Sequence, residues 1–387
     1  MVNNLGNDKR SLAPDLGRGF MLLLIVIAHA PMYLYTAEPA IFSRPFGENL
    51  MDDLVNFFGL LFIDNRAFPM FAFLFGYGMV LMINRQRQRG VSDLNIKKVL
   101  RRRSWFLILF GFIHFVFIGG ADILGLYGFS GLLITWLLFK SEKIKLRTLI
   151  LISFGYFIII PLSWFGMIIY SGGAGLQEGL NPSYTYMTIV VEHSIAFPFV
   201  VLTQLLLYPM LLVILVGIWM AGEGWMDRPD KHQSKLKKFA ILGIVISVIG
   251  ALPLALIGIR LWDPALEWLS FAVVLHILTG IAGGLGYTAL IALVSIKAQD
   301  KLPKISLTIA ALGKRSLTFY IYQEGLLVLL LSPVAFGLGR YLNSTGVFLI
   351  AIIIWVTGVI FAVILERKGL SGPLDLWLRH LTYRKLK

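Results

Sequence analysis

Apolar runs of about 20 residues recur along almost the whole chain and constrain its fold more than any other feature. Of the 387 residues, 57% are hydrophobic and 14% charged, whereas about 25% of the residues in a soluble domain are charged. A helix of about 20 apolar residues crosses a hydrocarbon core of about 30 Å. The sequence therefore predicts an all-α fold, a polytopic bundle of membrane-spanning helices.

The windows between charged residues predict about ten transmembrane helices. Their approximate ranges are 19–36, 67–84, 104–120, 123–139, 148–169, 195–221, 239–259, 268–296, 312–334 and 344–365. A shorter apolar stretch, 50–63, contains Asp52, Asp53 and Asn56 and favours an interfacial or re-entrant helix. The first span lacks the cleavage site of a signal peptide, so we expect it to remain in the mature chain.

The distribution of basic residues predicts the orientation of the bundle. Four of the 35 Lys and Arg residues, Arg44, Arg66, Arg260 and Arg340, fall in one set of alternate loops, and all others fall in the opposite set. Short loops rich in Lys and Arg stay in the cytoplasm, so both termini are predicted inside. The net charge of +14 thus reflects topology, and we expect the lipid bilayer, not nucleic acid, as the partner.

This topology predicts one transmembrane domain over residues 1–387. It has a cytoplasmic arm at 1–18, the helical bundle at 19–365 and a basic cytoplasmic tail at 366–387. The sequence shows no organellar targeting signal, which favours a bacterial plasma membrane.

The absence of cysteine excludes disulfides, thiol nucleophiles and thiolate metal sites. The six histidines do not show the spacing of known metal-binding motifs. We therefore expect neither a metal site nor a permanently bound cofactor.

Two histidines within predicted spans are candidate catalytic bases, because an ionisable group at membrane depth is costly unless it faces a partner or a wet cavity. His29 lies about 15 Å from the inner end of the first span, near the bilayer midplane. His114 is at a similar depth in the third span. An arginine, Arg18 or Arg103, precedes each histidine by eleven positions, which places two imidazoles at matching heights.

Asp122 follows His114 by eight residues, across a turn that contains Gly119 and Gly120. It can accept a hydrogen bond from the imidazole and fix its tautomer. Alternatively, it can cap the fourth helix. The two roles are compatible.

Other buried polar residues complete the candidate site. Glu324 in the ninth span is too far along its helix from Lys314 and Arg315 to pair with them, so it needs a partner on another helix or a proton. Gln323 and Arg66 are further candidates. For His276 we expect a hydrogen-bonded packing role.

Several stretches resemble the YeiB-like membrane proteins, grouped as domain of unknown function 418. The stretches are residues 15–20, 68–78, 111–114, 121–124 and 312–323, together with Arg103, Tyr127 and Gly131. The resemblance covers most of the chain. It implies little about activity, because the family is largely uncharacterised.

A wider resemblance is to the transmembrane acyltransferase superfamily, whose O-acetylases carry an Arg, ten residues and then a His in the first helix. Arg18 and His29 have that spacing. The resemblance implies that an acyl group passes from cytoplasmic acyl-coenzyme A, such as acetyl-coenzyme A, to an acceptor on the outer side. It implies His29 as the base. The coenzyme A phosphates would be held by the basic loop that carries Lys98, Arg101, Arg102 and Arg103.

Three functions remain open from the sequence. In an acyltransferase, His29 or His114 deprotonates a cell-envelope or small-molecule acceptor, Asp122 orients the imidazole, and Arg66 or Gln323 stabilises the oxyanion. Arg18 and Glu324 complete the predicted substrate-binding set. A proton-coupled transporter uses intramembrane His and Glu equally well. A lipid-binding protein without catalysis needs none of the histidines.

Overall fold

The computed structural model describes residues 11–37, 40, 44–173, 183–300 and 304–383, and this part of the chain contains helices joined by turns and loops, without strands. The helices are α1 (Ala13–His29), α2 (Leu50–Phe62), α3 (Ala67–Gln88), α4 (Asp93–Ile113), α5 (Leu124–Thr135), α6 (Glu142–Tyr170), α7 (Tyr186–Leu207), α8 (Met210–Glu223), α9 (Gln233–Gly258), α10 (Leu266–Asp300), α11 (Lys304–Gly313), α12 (Ser316–Leu331), α13 (Ser344–Arg367) and α14 (Pro373–Tyr383). The predicted arm and tail fall partly outside the described residues, at 1–10 and 384–387.

Seven helical stretches among the described residues are long and apolar enough to cross a membrane. They are Ala13–Tyr33, Leu50–Gln88, Glu142–Tyr170, Tyr186–Leu207, Pro229–Gly258, Leu266–Lys297 and Ser344–Arg367, and three shorter apolar helices are Leu124–Phe139, Met210–Glu223 and Ser316–Leu331. The all-α, polytopic membrane fold is therefore confirmed. The number of about ten spans and the inside position of both termini stay predictions.

The predicted single helix over 195–221 is wrong. Helix α7 ends at Leu207 and α8 begins at Met210, with Tyr208 in an extended conformation at φ −122° and ψ 138°. Proline lacks an N–H and disfavours a helical conformation in the residue before it. Pro209 thus divides the apolar run into two helices.

The first and the ninth predicted spans also differ from the structure. Helix α1 begins at Ala13, six residues before the predicted start, and continues past His29 as a 3-10 helix over Ala30–Tyr33. The predicted span 312–334 is interrupted, because a turn at Lys314 and Arg315 separates α11 from α12. Arg315 in this turn is held by Glu366 at 2.7 Å.

The short apolar stretch 50–63 forms helix α2, which lies against the bundle. Asn49 caps it by accepting hydrogen bonds from the amides of Met51 and Asp52. The buried Asp52 carboxylate accepts two hydrogen bonds from Thr345 at the start of α13. Helix α2 is thus fixed at one end of the bundle by a buried carboxylate.

Helix α1 lies in the centre of the bundle and packs against α3, α10, α11, α12 and α13. Its approach to α11 requires a glycine, since a Cβ atom on Gly19 would lie 2.1 Å from the carbonyl oxygen of Ile309. Helices α6 and α7 lie at the periphery and expose most of their apolar side chains. The candidate residues on α1 are therefore positioned inside the bundle.

Candidate functional site

His29 and Glu324 form a pair that joins α1 to α12. The Nδ1 atom of His29 lies 2.7 Å from Oε1 of Glu324. Glu324 is fully buried, whereas the His29 side chain is 17% exposed. The partner that Glu324 needs on another helix is thus His29, a pairing that the sequence analysis did not identify.

His114 and Asp122 form a second pair, at the irregular end of α4. Residues His114–Ile118 form a π-helix, and Gly119 and Gly120 follow with φ angles of 88° and 86° that let the chain reverse. This reversal places Oδ1 of Asp122 3.1 Å from Nδ1 of His114. The expected hydrogen bond between the two side chains is confirmed.

Asp122 also caps α5, the alternative role considered for it. Its carboxylate accepts hydrogen bonds from the amides of Leu124 at 3.2 Å and Gly125 at 2.8 Å. Both roles therefore occur together. Three hydrogen bonds hold the carboxylate in place, and the carboxylate in turn holds the His114 ring.

The two pairs are neighbours. A Cβ atom on Gly120 would lie 2.7 Å from Oη of Tyr33 and 3.4 Å from Oε2 of Glu324, so the turn beside Asp122 contacts the first pair. The Tyr320 hydroxyl donates to the carbonyl of Ala121 at 2.7 Å. We call the resulting group the paired-histidine cluster. It consists of His29, Tyr33, His114, Asp122, Tyr320 and Glu324, together with the buried Gln323, which lies one turn after Tyr320 on the same side of α12.

Several buried polar atoms of this cluster have no hydrogen-bond partner within the described part of the chain. They are Tyr33 Oη, His114 Nε2, Gln323 Oε1, Gln323 Nε2 and Glu324 Oε2. Leaving a buried polar group unsatisfied costs about 1–3 kcal/mol. A polar group that enters the cluster can pair with these donors and acceptors. Tyr33 and Tyr320 were missed from the sequence, because tyrosines at such positions look like ordinary core residues.

Arg66 lies in a separate hydrogen-bonded group, outside the paired-histidine cluster. Its guanidinium donates to the carbonyl oxygens of Leu60, Asp64 and Ser247, and it is fully buried. Nε2 of His276 lies 2.9 Å from the same guanidinium. These bonds fasten the corner between α2 and α3 to α9 and α10. The hydrogen-bonded packing role expected for His276 is confirmed.

A large cavity opens at the end of the bundle that the charge distribution assigns to the cytoplasm. Its volume is about 1870 Å³. Seven basic side chains line it: Arg18, Arg85, Arg89, Arg103, Arg228, Lys314 and Arg379. Four carboxylates also line it: Asp15, Glu223, Asp227 and Asp375. We call it the basic cavity.

Burial raises the pKa of two carboxyl groups that line the basic cavity. It raises the pKa of Asp227, with partial opposition from the hydrogen bond to Tyr77. It also raises the pKa of Asp375, against the opposing hydrogen bonds from Thr318. Both carboxyl groups are protonated at a higher pH than an exposed aspartate. Because seven basic side chains and only four carboxylates line the cavity, it suits an anionic ligand.

The four residues predicted to hold coenzyme A phosphates do not share one location. Arg103 lines the basic cavity together with Arg18. Arg102 donates instead to the carbonyl of Leu381 in α14 at 2.5 Å. Lys98 and Arg101 are exposed on another side of α4. Among the described residues, no group of three His or carboxylate side chains could hold a metal ion.

The fold and these sites define a multi-pass helical membrane protein with a buried histidine–carboxylate cluster and a basic cavity at one end. Residues 220–385 match the family model described as protein of unknown function (DUF418). The chain is 26% identical over 342 residues to the uncharacterised protein YeiB of Escherichia coli K12, covering 82% of each chain. It is 25% identical over 343 residues to the uncharacterised protein YxaH of Bacillus subtilis 168, covering 83% of this chain and 80% of the relative.

A third relative matches more closely over a shorter stretch. An uncharacterised 39.9 kDa protein encoded in the amylase 3′ region of Bacillus acidopullulyticus is 36% identical over 126 residues, and the match spans 33% of each chain. The resemblance of this chain to the YeiB-like family of domain of unknown function 418 is thereby confirmed.

Proposed function

We propose that this chain is a membrane-embedded acyltransferase that moves an acyl group from cytoplasmic acyl-coenzyme A to an acceptor on the outer side of a bacterial plasma membrane. One observation carries the proposal. Arg18 and Arg103 line the basic cavity, and each lies eleven residues before a histidine of the paired-histidine cluster on the same helical segment. The helical rise separates each arginine from its histidine by about 16 Å.

The basic cavity suits the phosphate-bearing end of coenzyme A. Arginine binds phosphate through two parallel hydrogen bonds, and several arginines converge there from α1, α3, α4 and α14. The reactive end of a long pantetheine arm would then extend towards the cluster. The cavity that holds Arg18 and Arg103 is also lined by two apolar residues of α3, Phe71 and Leu74. They would line the path of the arm.

His29 is the better candidate for the base that activates the acceptor. Its side chain is 17% exposed, whereas that of His114 is fully buried. With Nδ1–H donating to Glu324, Nε2 is left to remove the proton from an acceptor hydroxyl or amine. The acceptor then attacks the thioester carbonyl. The new C–O or C–N bond forms, the C–S bond breaks, and the coenzyme A thiolate takes the proton from the imidazolium.

Gln323 is better placed than Arg66 to stabilise the oxyanion. The amide nitrogen of Gln323 is buried in the cluster and has no partner within the described residues. Arg66 already donates to three backbone carbonyls. A donor that is free before reaction can bind developing negative charge without first breaking a bond.

Binding of acetyl-coenzyme A to the purified full chain tests the donor site directly. We expect saturable binding by calorimetry, weakened at least tenfold in Arg103→Gln and unchanged in the matched variant Arg101→Gln. Transfer of a labelled acetyl group to membrane-derived acceptors is then expected in wild type and lost in His29→Gln. Absence of binding to wild type at millimolar ligand overturns the proposal.

A proton-coupled carrier is the second candidate, favoured by the two His–carboxylate pairs with unpartnered atoms inside the bundle. A carrier requires alternating access to a central site and no acyl donor. Proton-gradient-dependent uptake of a solute, with no acetyl-coenzyme A binding, would favour it. If neither acetyl-coenzyme A binding nor solute uptake is observed, a lipid-binding role without catalysis remains.

A further inference from the structure

The outward side of α4 carries basic residues that the basic cavity does not include. Lys98 and Arg101 are exposed and lie three residues apart, on one side of the helix. Trp105 continues the same side and is 59% exposed. Arg103 faces the opposite way, into the cavity, because two residues correspond to a rotation of about 200°. Arg101 and Arg103 thus lie on two different sides of α4.

The same side of α4 becomes apolar beyond Trp105. Leu109, Ile113 and Phe117 follow at helical spacing, and all are exposed. Over about 24 Å from Arg101 to Phe117, the surface changes from cations to an indole and then to hydrocarbon. This order matches one leaflet of a bilayer, with headgroups, interface and acyl chains in sequence.

The neighbouring helix α5 presents a second indole and cation at a similar height. A Cβ atom on Gly131 would lie 2.4 Å from Oγ of Ser104, which fixes the relative position of the two helices. Trp136, five residues further towards the basic end, is 54% exposed, and Nζ of Lys140 lies 6.0 Å from its ring. The rise of about 7.5 Å brings Trp136 to a height between those of Lys98 and Arg101.

Carboxylates near these cations are already paired. Asp93, on the first turn of α4, accepts two hydrogen bonds from Arg87 at 2.9 and 3.0 Å. Glu142, after the end of α5, lies 2.7 Å from Lys145. The charge that remains on this surface is positive, and its complement is an anion at the membrane interface.

We propose that Lys98 and Arg101, with Trp105 beside them, bind the headgroups of anionic phospholipids in the adjacent leaflet. This inference goes beyond the proposed transferase function and does not depend on it. It reassigns two residues that the sequence analysis placed in the donor site. The phosphodiester of phosphatidylglycerol pairs with the cations, the indole lies at the interface, and the acyl chain follows Leu109, Ile113 and Phe117.

The test uses the full chain in nanodiscs of equimolar phosphatidylcholine and phosphatidylglycerol. Native mass spectrometry after transfer to detergent counts the retained lipids of each kind. We expect wild type to retain phosphatidylglycerol preferentially. Lys98→Gln/Arg101→Gln should reduce that preference about fivefold per removed cation, with helix content by circular dichroism unchanged, because both side chains are exposed.

Arg103→Gln is the matched control, since it removes one cation from the same helix but from the cavity side. It should retain phosphatidylglycerol as wild type does. Unchanged lipid preference in Lys98→Gln/Arg101→Gln overturns the inference. The inference is also overturned if that variant keeps its lipids but no longer binds acetyl-coenzyme A. If the double variant loses its lipid preference and wild type binds no acetyl-coenzyme A, the lipid inference is supported and only the transferase proposal fails.

Discussion

The Nδ1 atom of His29 lies 2.7 Å from Oε1 of Glu324, although 295 residues separate the two in the chain. The contact fixes the end of the central helix α1 to α12 and connects to the second pair through Tyr33 and the turn at Gly120. A buried carboxylate is costly without a partner. The pair is thus a structural tie between α1 and α12, and it includes the histidine that we propose as the base.

This pairing predicts energetic coupling between the two residues. His29→Gln and Glu324→Gln should each destabilise the fold, and the double variant should lose less than the sum, because each single variant weakens or removes the same hydrogen bond. We expect a coupling energy of about 0.5–3 kcal/mol. Unfolding in mixed detergent micelles, followed by tryptophan fluorescence, measures it. His29→Gln combined with the exposed Glu142→Gln should be additive, and additivity in the His29/Glu324 cycle would contradict the contact.

The sequence was sufficient for features set by local geometry. Helix periodicity and the helical rise predicted two histidines at matching heights, and the eight-residue spacing across two glycines predicted the contact between His114 and Asp122. The residues concerned lie on one helix or one turn. Their relative positions therefore depend little on how the rest of the chain packs.

The sequence was insufficient where distant segments meet. No motif signals that Glu324 faces His29, or that Arg228 and Arg379 reach the same cavity as Arg18. These relations depend on the packing of the whole bundle. The division of the predicted 195–221 span was available from Pro209, since a proline commonly ends or kinks a helix.

Helical geometry limits how many residues of the basic loop can line one site. Arg101, Arg102 and Arg103 are consecutive residues of a helix, and each successive side chain rotates by about 100°. They cannot all face one cavity. The structure directs one outward, one to α14 and one to the basic cavity.

Gly120 provides a test of the contact between the two histidine pairs. It has a φ of 86°, and an added Cβ would lie 2.7 Å from the Tyr33 hydroxyl. Gly120→Ala should therefore destabilise the protein by about 1–3 kcal/mol, because the residue loses a conformation that favours glycine and displaces a buried ring. Chemical denaturation in detergent measures the change.

Gly155→Ala in α6 is the matched control. Apart from its chain neighbours and the nearby backbone of its own helix, no atom of the described residues lies within 4 Å of the Cβ position at Gly155, which has a helical backbone. Alanine should leave stability unchanged or raise it by about 0.5–1 kcal/mol, as expected in a helix interior. Equal effects of the two substitutions would contradict the close approach of the Gly120 turn to Tyr33.

The predicted orientation can be tested by labelling, because the chain contains no cysteine. Tyr341 is 77% exposed and lies in a loop assigned to the outer side. Glu142, whose side chain is 80% exposed, is the first residue of α6, at the end assigned to the inner side. A membrane-impermeant maleimide should label Tyr341→Cys in intact cells. It should label Glu142→Cys only after permeabilisation. The reverse pattern would place both termini outside and the basic cavity with them.

Asp375 should make stability depend on pH in a defined direction. Burial raises its pKa in the folded protein above the ordinary value of 3.8. The folded state therefore binds this proton more tightly than the unfolded state. The stabilisation is fully present below the unfolded pKa and is lost as the pH rises through the folded pKa. Asp375→Asn removes this dependence and keeps a side-chain oxygen that can accept from Thr318.

Asp93 is the control with the opposite sign. The hydrogen bond from Arg87 lowers the pKa of this exposed carboxyl, so its contribution to stability is lost as the pH falls. We would measure unfolding of wild type, Asp375→Asn and Asp93→Asn from pH 3.8 upwards in detergent. The stability of wild type relative to Asp375→Asn should decline with rising pH. The stability of wild type relative to Asp93→Asn should stay nearly constant or increase with rising pH. If both stability differences decline with rising pH, burial of Asp375 is not the cause.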